Sequence, residues 1–366
     1  MTNSITNRQL FYILIMTITT YTTIDLPKMM AEKVGRSSWI LVLGMAVLFS
    51  GAAILVTKLN NRFAGKVMFD YSREIVGTVA SRVIVIYYIL YFVLVGVYLK
   101  IKLVEFVTAN FLPKTPQFIL LAFSVALFGF VAYKGVTNVA RMFQMFGTIF
   151  LVTTILVCGI MLFQGMLYNI RPFYDPNEIK QIPSALPSML FPFGGIEVLL
   201  IIPFTQKNRK APLVAFLTMI FIGFLYVQVV EGTICILGIN NTMLYNDALI
   251  EAIKIVFVPV IERTDIFYLT VGLTSLFAGM IMVFLCSLEY TCRLFHKVER
   301  KIITPIVALA LYVLCIFGLG VKDINHKLDA YAPYLVSISS FGIPGFLMLV
   351  AVIRKKKSVH EPEDEA

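Results

Sequence analysis

Runs of about 20 apolar residues, nearly free of charge, recur from position 10 to position 353 of this chain. Such runs are too long for ordinary core helices. Their length is what a helix needs to cross about 30 Å of hydrocarbon. Ten spans are expected, at 10–30, 38–57, 83–107, 117–133, 142–164, 187–204, 211–237, 266–289, 303–320 and 331–353. The chain therefore reads as an all-α integral membrane protein. Only 14% of its residues are charged, against about a quarter in soluble domains. Little is left for a soluble domain, so 1–366 is taken as a single membrane domain. The polar, acidic end at 358–366 is expected to be disordered. The apolar stretch 249–259 is too short to cross and reads as a re-entrant or surface helix. Thr6 and Gln9 have the spacing of a capping box at the start of the first helix. No basic region and small-residue cleavage site precedes that helix, so the first span is expected to stay in the protein.

Lysine and arginine concentrate in alternate loops. One set holds Lys58, Arg62, Lys66, Arg73 and Arg82, then Lys134 and Arg141, Lys207 to Lys210, Arg293 to Lys301, and 354–357. That bias places these loops and both termini in the cytoplasm, which requires an even number of spans. The formal net charge of +10 then reports loops facing anionic lipid rather than nucleic acid. Cys158, Cys235, Cys286, Cys292 and Cys315 lie in or beside apolar runs without metal-like spacing and read as small core residues. No phosphate-binding loop, HExxH pattern or Ser/His/Asp arrangement is visible. Neither an ATP-driven pump nor an enzyme is expected, and no cofactor. A monovalent cation or a proton stays open.

Two spans look discontinuous. The first reads ILIMTITTYTTIDLPKMM, with Thr17, Thr19, Thr20, Thr22 and Thr23 followed by Asp25 and Pro27. Threonine hydroxyls can bond the carbonyl one turn back, so these residues form either a polar stripe between helices or an unwound segment lining a cavity. Pro27 favours a break. The sixth reads PSALPSMLFPFGGIEVLLIIPF, with Gly194–Gly195 between prolines and Glu197 just beyond. Two glycines at mid-membrane are either a packing kink or an opening that exposes backbone to a substrate or ion. Glu197 there can hold a ligand ammonium or accept backbone N–H groups. Breaks in spans one and six are the placement expected of a 5+5 inverted repeat, with halves near 10–164 and 187–353.

Other polar residues at membrane depth need partners. Glu231 lies near the outer end of the seventh span. Glu289 and Arg293 are spaced to pair with each other. Lys100, Lys102 and Glu105 either snorkel or line an outer vestibule. Thr274 and Ser275, in the middle of the eighth span, are placed to offer hydroxyls to the first. Glu262, Arg263 and Asp265 open that eighth span as a helix cap or, with Asp25, as gating residues.

The whole pattern resembles a known family. Length, ten spans, the stretch LPSMLFPFGGIEVLLIIPF at 186–204, ERTDIFYL at 262–269 and RPFYDP at 171–176 are similar to the permease-like B subunits of bacterial endospore germinant receptors. These are a branch of the amino acid–polyamine–organocation superfamily. The resemblance covers about residues 5–355. It implies a permease fold used in germination, in the spore inner membrane or cell membrane. It also implies A and C receptor subunits as partners and a small nutrient, an amino acid or a sugar, as ligand. By resemblance, Phe193, Gly194, Gly195 and Glu197 fall on the broken sixth helix beside the pocket. Thr19, Thr20, Tyr21, Thr22, Thr23, Thr274 and Ser275 complete the expected ligand set.

One departure bears on the ligand. Superfamily permeases usually have glycines at the first break, where backbone N–H groups meet a substrate carboxylate. This chain has TTYTTID at 19–25 and no glycine. Threonine hydroxyls substitute, or Asp25 repels a carboxylate and a neutral solute is preferred. A nutrient-sensing receptor subunit is the main reading and an autonomous secondary transporter the alternative. A purely structural anchor leaves the paired breaks without a use.

Overall fold

The computed structural model describes residues 5–202, 204, 208–257, 264–320 and 322–356, with only the backbone at 264–265, 320 and 322–329. Helices α1 (Asn7–Ile18) and α2 (Leu26–Lys33) are separated by an irregular turn at 19–25. Then come α3 (Ser38–Arg62), α4 (Met68–Val76), α5 (Thr78–Asn110), α6 (Gln117–Tyr133) and α7 (Val136–Gln164). The short α8 (Pro176–Ile179) and α9 (Ile182–Leu190) lead into a 3-10 turn at Ile196–Ile201. Helices α10 (Ala211–Leu237), α11 (Ile239–Leu244), α12 (Ala248–Ile255), α13 (Thr264–Leu294) and α14 (Arg300–Gly320) follow. Helices α15 (Lys322–Ser337) and α16 (Ile343–Ile353) are joined by a π turn at Ile338–Gly342.

Among the described residues seven helical stretches are long and apolar enough to cross a membrane, and α6 is a shorter apolar helix. The 249–259 segment is helical as α12 as far as Ile255, and its last two residues lie outside the described residues. The first helix opens as the pattern demanded: Thr6 and Gln9 form a reciprocal capping box. Helix α13 sits at the centre and packs on α1, α5, α6, α7 and α14. Around it, α3 pairs along α10, and α1 lies against α7 and α10. The close approach of α3 and α10 is set by Gly223, where an added Cβ would stand 2.4 Å from that of Ala46. Cys158, Cys235, Cys286 and Cys315 are buried in this packing and Cys292 is half-buried.

Both ends of the described chain lie at one end of the bundle. Asn208 donates to Asn7, Arg62 Nε donates to the Lys356 carbonyl at 2.8 Å, and Arg354 donates to the Ile75 carbonyl at 2.7 Å. Here two expectations need correction. Glu289 and Arg293 do not pair: Arg293 reaches Asp70 of α4 at 3.0 Å, and Glu289 reaches Arg300 of α14 at 2.6 Å. Each long side chain turns to a different helix packed beside α13, so the one-turn spacing within α13 goes unused. Lys100 neither snorkels nor lines a vestibule. It is 0% exposed, its Nζ has no hydrogen-bond partner, and it stands 5.8 Å and 5.7 Å from the ring centres of Phe128 and Phe284. At that range the rings return about 1–2 kcal/mol to a cation, less than the several kcal/mol that dehydrating an ammonium costs.

The α3–α10 contact has a direct test. Gly223→Ala drives a methyl into Ala46 and is expected to lower stability by about 1–3 kcal/mol. Gly51→Ala, on the same α3 with nothing within 4 Å of an added Cβ, is expected to leave it unchanged. Thermal midpoints in detergent decide this; equal midpoints for the two variants would remove the close-packing account.

Candidate functional site

The turn at 19–25 begins where threonine hydroxyls bond carbonyls one turn back. Thr19 Oγ1 donates to the Ile15 carbonyl at 2.8 Å, Thr20 Oγ1 to Met16 at 2.7 Å, and Thr23 Oγ1 to Thr19. Thr19 and Thr20 also reach across to α13: Thr19 Oγ1 meets Ser275 Oγ at 2.9 Å and Thr20 Oγ1 lies 2.7 Å from the Ser275 carbonyl. Gly279, one turn further along α13, makes room for this approach, since a Cβ there would fall 2.1 Å from Thr20 Oγ1. Thr274 points elsewhere and donates to the Val271 carbonyl of its own helix at 2.6 Å.

The second break lies against the first. Gly195 has φ +112°, in the left-handed region that glycine tolerates best. A Cβ on Gly195 would meet Thr17 at 3.1 Å, and one on Gly194 would meet the Tyr21 ring at 3.0 Å. Glu197 is fully buried one turn on. Both its carboxyl oxygens lie 3.1 Å from the Gly195 N–H. It also accepts the Tyr91 hydroxyl of α5 at 2.5 Å and the Ser340 hydroxyl of the π turn at 2.9 Å. That turn has its own cause: Pro344 has no N–H to return to the Ser340 carbonyl, so the ladder loosens over Ile338–Gly342. Tyr88 donates to the Ser339 carbonyl at 2.8 Å. Tyr226 of α10 bridges the two breaks, its hydroxyl 3.0 Å from the Ile18 carbonyl and 2.9 Å from that of Pro192. Phe193 packs between Phe49 and Tyr226, at 5.6 Å and 5.3 Å.

In front of this layer a cavity of about 830 Å³ opens to the end of the bundle opposite the chain termini. Its floor is aromatic, with Phe191 at 5.0 Å from Tyr21 and 5.1 Å from Tyr98. Thr20, Tyr21, Thr22, Thr23 and Asp25 line it from the first break, and Ser188, Phe191 and Pro192 from the second. The Thr22 hydroxyl is buried without a hydrogen-bond partner, and the Tyr21 hydroxyl is buried beside Tyr91 and Glu197. Toward the mouth stand Lys28, Glu32, Lys102, Glu105 and Asp247, with Lys28 bonded to Asn246 at 2.7 Å. A separate void of about 30 Å³, room for about one water, lies among Thr19, Thr23, Gly272 and Ser275.

The expected ligand residues thus divide into three groups. Thr20, Tyr21, Thr22 and Thr23 face the cavity; Thr19 and Ser275 face the small void; Phe193, Gly194, Gly195 and Glu197 lie behind the floor. Asp25 lines the cavity. Glu262 and Arg263 fall outside the described residues, and Asp265 is described by its backbone alone. Sequence reasoning missed Tyr91, Ser340 and Tyr226. Only the SSFGIP run, with glycine and proline inside an apolar span, hinted at one of them.

Comparison with known proteins decides the family. A family model described as spore germination protein matches residues 4–326. The chain belongs to that family. A spore germination protein relative, YndE of Bacillus subtilis (strain 168), is 22% identical over 363 residues, covering 97% of this chain and 98% of that protein. Among solved structures, MhsT in complex with L-phenylalanine matches with a TM-score of 0.69 at 13% identity, over 95% of this chain and 89% of that one. Mhp1, a nucleobase-cation-symport-1 family transporter, matches with a TM-score of 0.68 at 12% identity, over 98% and 80%. This germination protein is therefore an all-α, multi-spanning membrane protein with the fold of these two. Family and fold are those of permease-type proteins rather than enzymes. Among the described residues no group of three or more His, Cys, Asp or Glu is arranged to hold a metal.

The bridge between the breaks is testable. Tyr226→Phe removes the donor shared by the Pro192 and Ile18 carbonyls, leaving Ile18 only the Tyr21 N–H, and is expected to cost about 1–3 kcal/mol. A lower thermal midpoint than wild type in detergent is the expected result. An unchanged midpoint would show that the hydroxyl does not hold the breaks together.

Proposed function

We propose that this chain is the nutrient-sensing, permease-like B subunit of a spore germinant receptor. A small polar solute, such as an amino acid or a sugar, binds in the cavity between the two broken spans. The observation that carries the reading is the cavity itself, which reaches both breaks and is lined by Thr20, Tyr21, Thr22, Thr23 and Asp25 of the first. Polar side chains converging on a cavity of this size are what a small polar ligand requires. In this reading Thr20, Tyr21, Thr22, Thr23 and Asp25 contact the ligand. Gly194, Gly195 and Glu197 hold the floor in position from behind, and Phe193 packs beneath it.

The reading includes a topology. Seven long helices, α6, and the two interrupted spans α1–α2 and α9 with its 3-10 turn make ten crossings, arranged as a 5+5 inverted repeat of one membrane domain. Both termini face the cytoplasm, so the cavity opens outward. What supports this is the loop charge bias and the meeting of both chain ends at one end of the bundle. Partners are the A and C receptor subunits in the spore inner membrane. The alternative, an autonomous secondary transporter, is favoured by the likeness to Mhp1. Nutrient uptake by the chain alone in liposomes would support it over sensing.

Two experiments test the proposal. Gly195→Leu puts a branched side chain where φ and Thr17 forbid one, and Glu197→Gln removes an acceptor from the layer behind the floor. At matched protein levels in spores, each is expected to raise the nutrient concentration for half-maximal germination at least about tenfold. Thr57→Ala, whose hydroxyl bonds only within its own helix, is the control. If both variants match wild type, the nutrient binds elsewhere. For topology, cysteines placed at Ser4 and Ser358, outside the described residues, should resist an impermeant thiol reagent in intact cells. Labelling of either overturns the ten-span arrangement.

A further inference from the structure

Lys100 lies outside the site just described. Its side chain is on the face of α5 turned away from the cavity, which Tyr98, Leu99 and Lys102 line instead. A lysine at membrane depth with no exposed atom and no acceptor for its Nζ is an arrangement that a packed core does not require. Methionine or leucine would fill the same space without a polar atom. The surroundings are known from every side. From α6 comes the Phe128 ring and from α13 the Phe284 ring. The space at Gly96, on α5 itself, is shared by Val283 of α13, Leu311 of α14 and the Lys100 Nζ. The Cys315 thiol of α14 is the titratable group that acts on the amine; no carboxyl group does so among the described residues. The amine therefore has no fixed counter-charge in this packing.

The wall that closes it from outside is α14. That helix is the least buried of the long spans along with the last, with a third of its apolar window inside the protein. It meets α5 at a small residue, since a Cβ on Gly318 would fall 2.6 Å from Ile101. It meets α6 in the same way, where Ala308 comes within 3.9 Å of a Cβ on Gly129. At the α5–α14 seam Leu311 of α14 lies over Gly96 of α5 and Ile101 of α5 lies over Gly318 of α14, so each helix offers the other a glycine notch. Separation of α14 from α5 would admit water to the Nζ, and a hydrated amine takes up a proton at neutral pH.

We propose that Lys100 is a proton-binding site whose loading is coupled to separation of α14 from α5. The proton comes from solvent and is bound by the free electron pair of the Nζ. Because the loaded form cannot be enclosed without a counter-ion, acid favours separation and alkali favours closure. The proposal does not depend on the nutrient cavity: Lys100 faces the other side of α5 and would act whether the chain senses or transports.

The test uses Cys315 as a reporter of the α5–α14 seam. In the full chain, reconstituted in liposomes, Cys158, Cys235, Cys286 and Cys292 are replaced by alanine. The rate of Cys315 alkylation by N-ethylmaleimide is followed from about pH 6 to about pH 8.5. Thiol reactivity itself rises with pH, so each rate is divided by that of Lys100→Met under the same conditions. Lys100→Met keeps the packing volume and cannot bind a proton. The expected ratio is at least about fivefold at the acid end and falls toward one at the alkaline end. Lys100→Arg, which stays charged, is the second variant and keeps the test alive if Lys100→Met does not fold. It is expected to label fast across the whole range, so wild type should approach it in acid and fall below it in alkali. A wild-type rate parallel to that of either variant at every pH overturns the proposal.

Discussion

A backbone that leaves its helix inside a membrane finds no water to bond, so the protein must supply every partner itself. In this chain that constraint falls on two segments, 19–25 and 191–195, and one carboxyl group meets most of it. Glu197 receives the Gly195 N–H on both oxygens, the Tyr91 hydroxyl from α5 and the Ser340 hydroxyl from the last span. Three separate parts of the chain, the 191–197 segment, α5 and the π turn, are thereby fixed to one buried point. Tyr226 supplies the complementary donor, to carbonyls on both breaks. Without these two side chains the Gly195 N–H would lose its acceptor and the Pro192 carbonyl its donor. The aromatic floor of the cavity rests on this layer, since Phe191 and Tyr21 are held only as firmly as the turns that carry them.

This arrangement also separates two roles that a reading of residue types merges. A glutamate beside a glycine break looks like a ligand contact. Its four hydrogen bonds instead commit it to structure. The polar side chains in front of the floor are Thr20, Thr22, Thr23 and Asp25 of the first break and Ser188 of the second. Polar capacity that faces a cavity is the better mark of a binding surface. The charged mouth, with Lys28, Glu32, Lys102, Glu105 and Asp247, carries both signs.

Hydropathy alone was enough for the helices whose sequence is uniformly apolar. Gln117–Tyr133 and Ala211–Leu237 begin and end where the pattern placed them, and the capping box at Thr6 was legible because it is local. Both breaks were legible for the same reason: threonine runs, glycine pairs and prolines act on their own turn of backbone. What could not be read is whatever joins distant positions. Ser340 and Glu197 are 143 residues apart. Nothing in either neighbourhood announces the other. The last span was expected as one continuous helix, although Pro344 carried the cause of its π turn in plain view. Arg293 and Glu289 misled in the opposite way, because a favourable local spacing was overridden by neighbours α4 and α14.

Lys100 follows the same logic one step further. Hydropathy placed it inside a span, and the usual escape for lysine is to extend its stem toward the nearest interface. That escape needs a path along the helix surface. Here the stem is enclosed by Phe128, Phe284 and the small-residue contacts of α14, and its neighbour Lys102 already occupies the open face toward the cavity. Two lysines two residues apart thus face opposite sides of one helix, one wetted and one dry. The dry one is stable only while the helices around it stay closed. A buried group of this kind ties the packing of α14 to the protonation of a single nitrogen, by the same accounting of unmet polar groups that the two breaks satisfy from within.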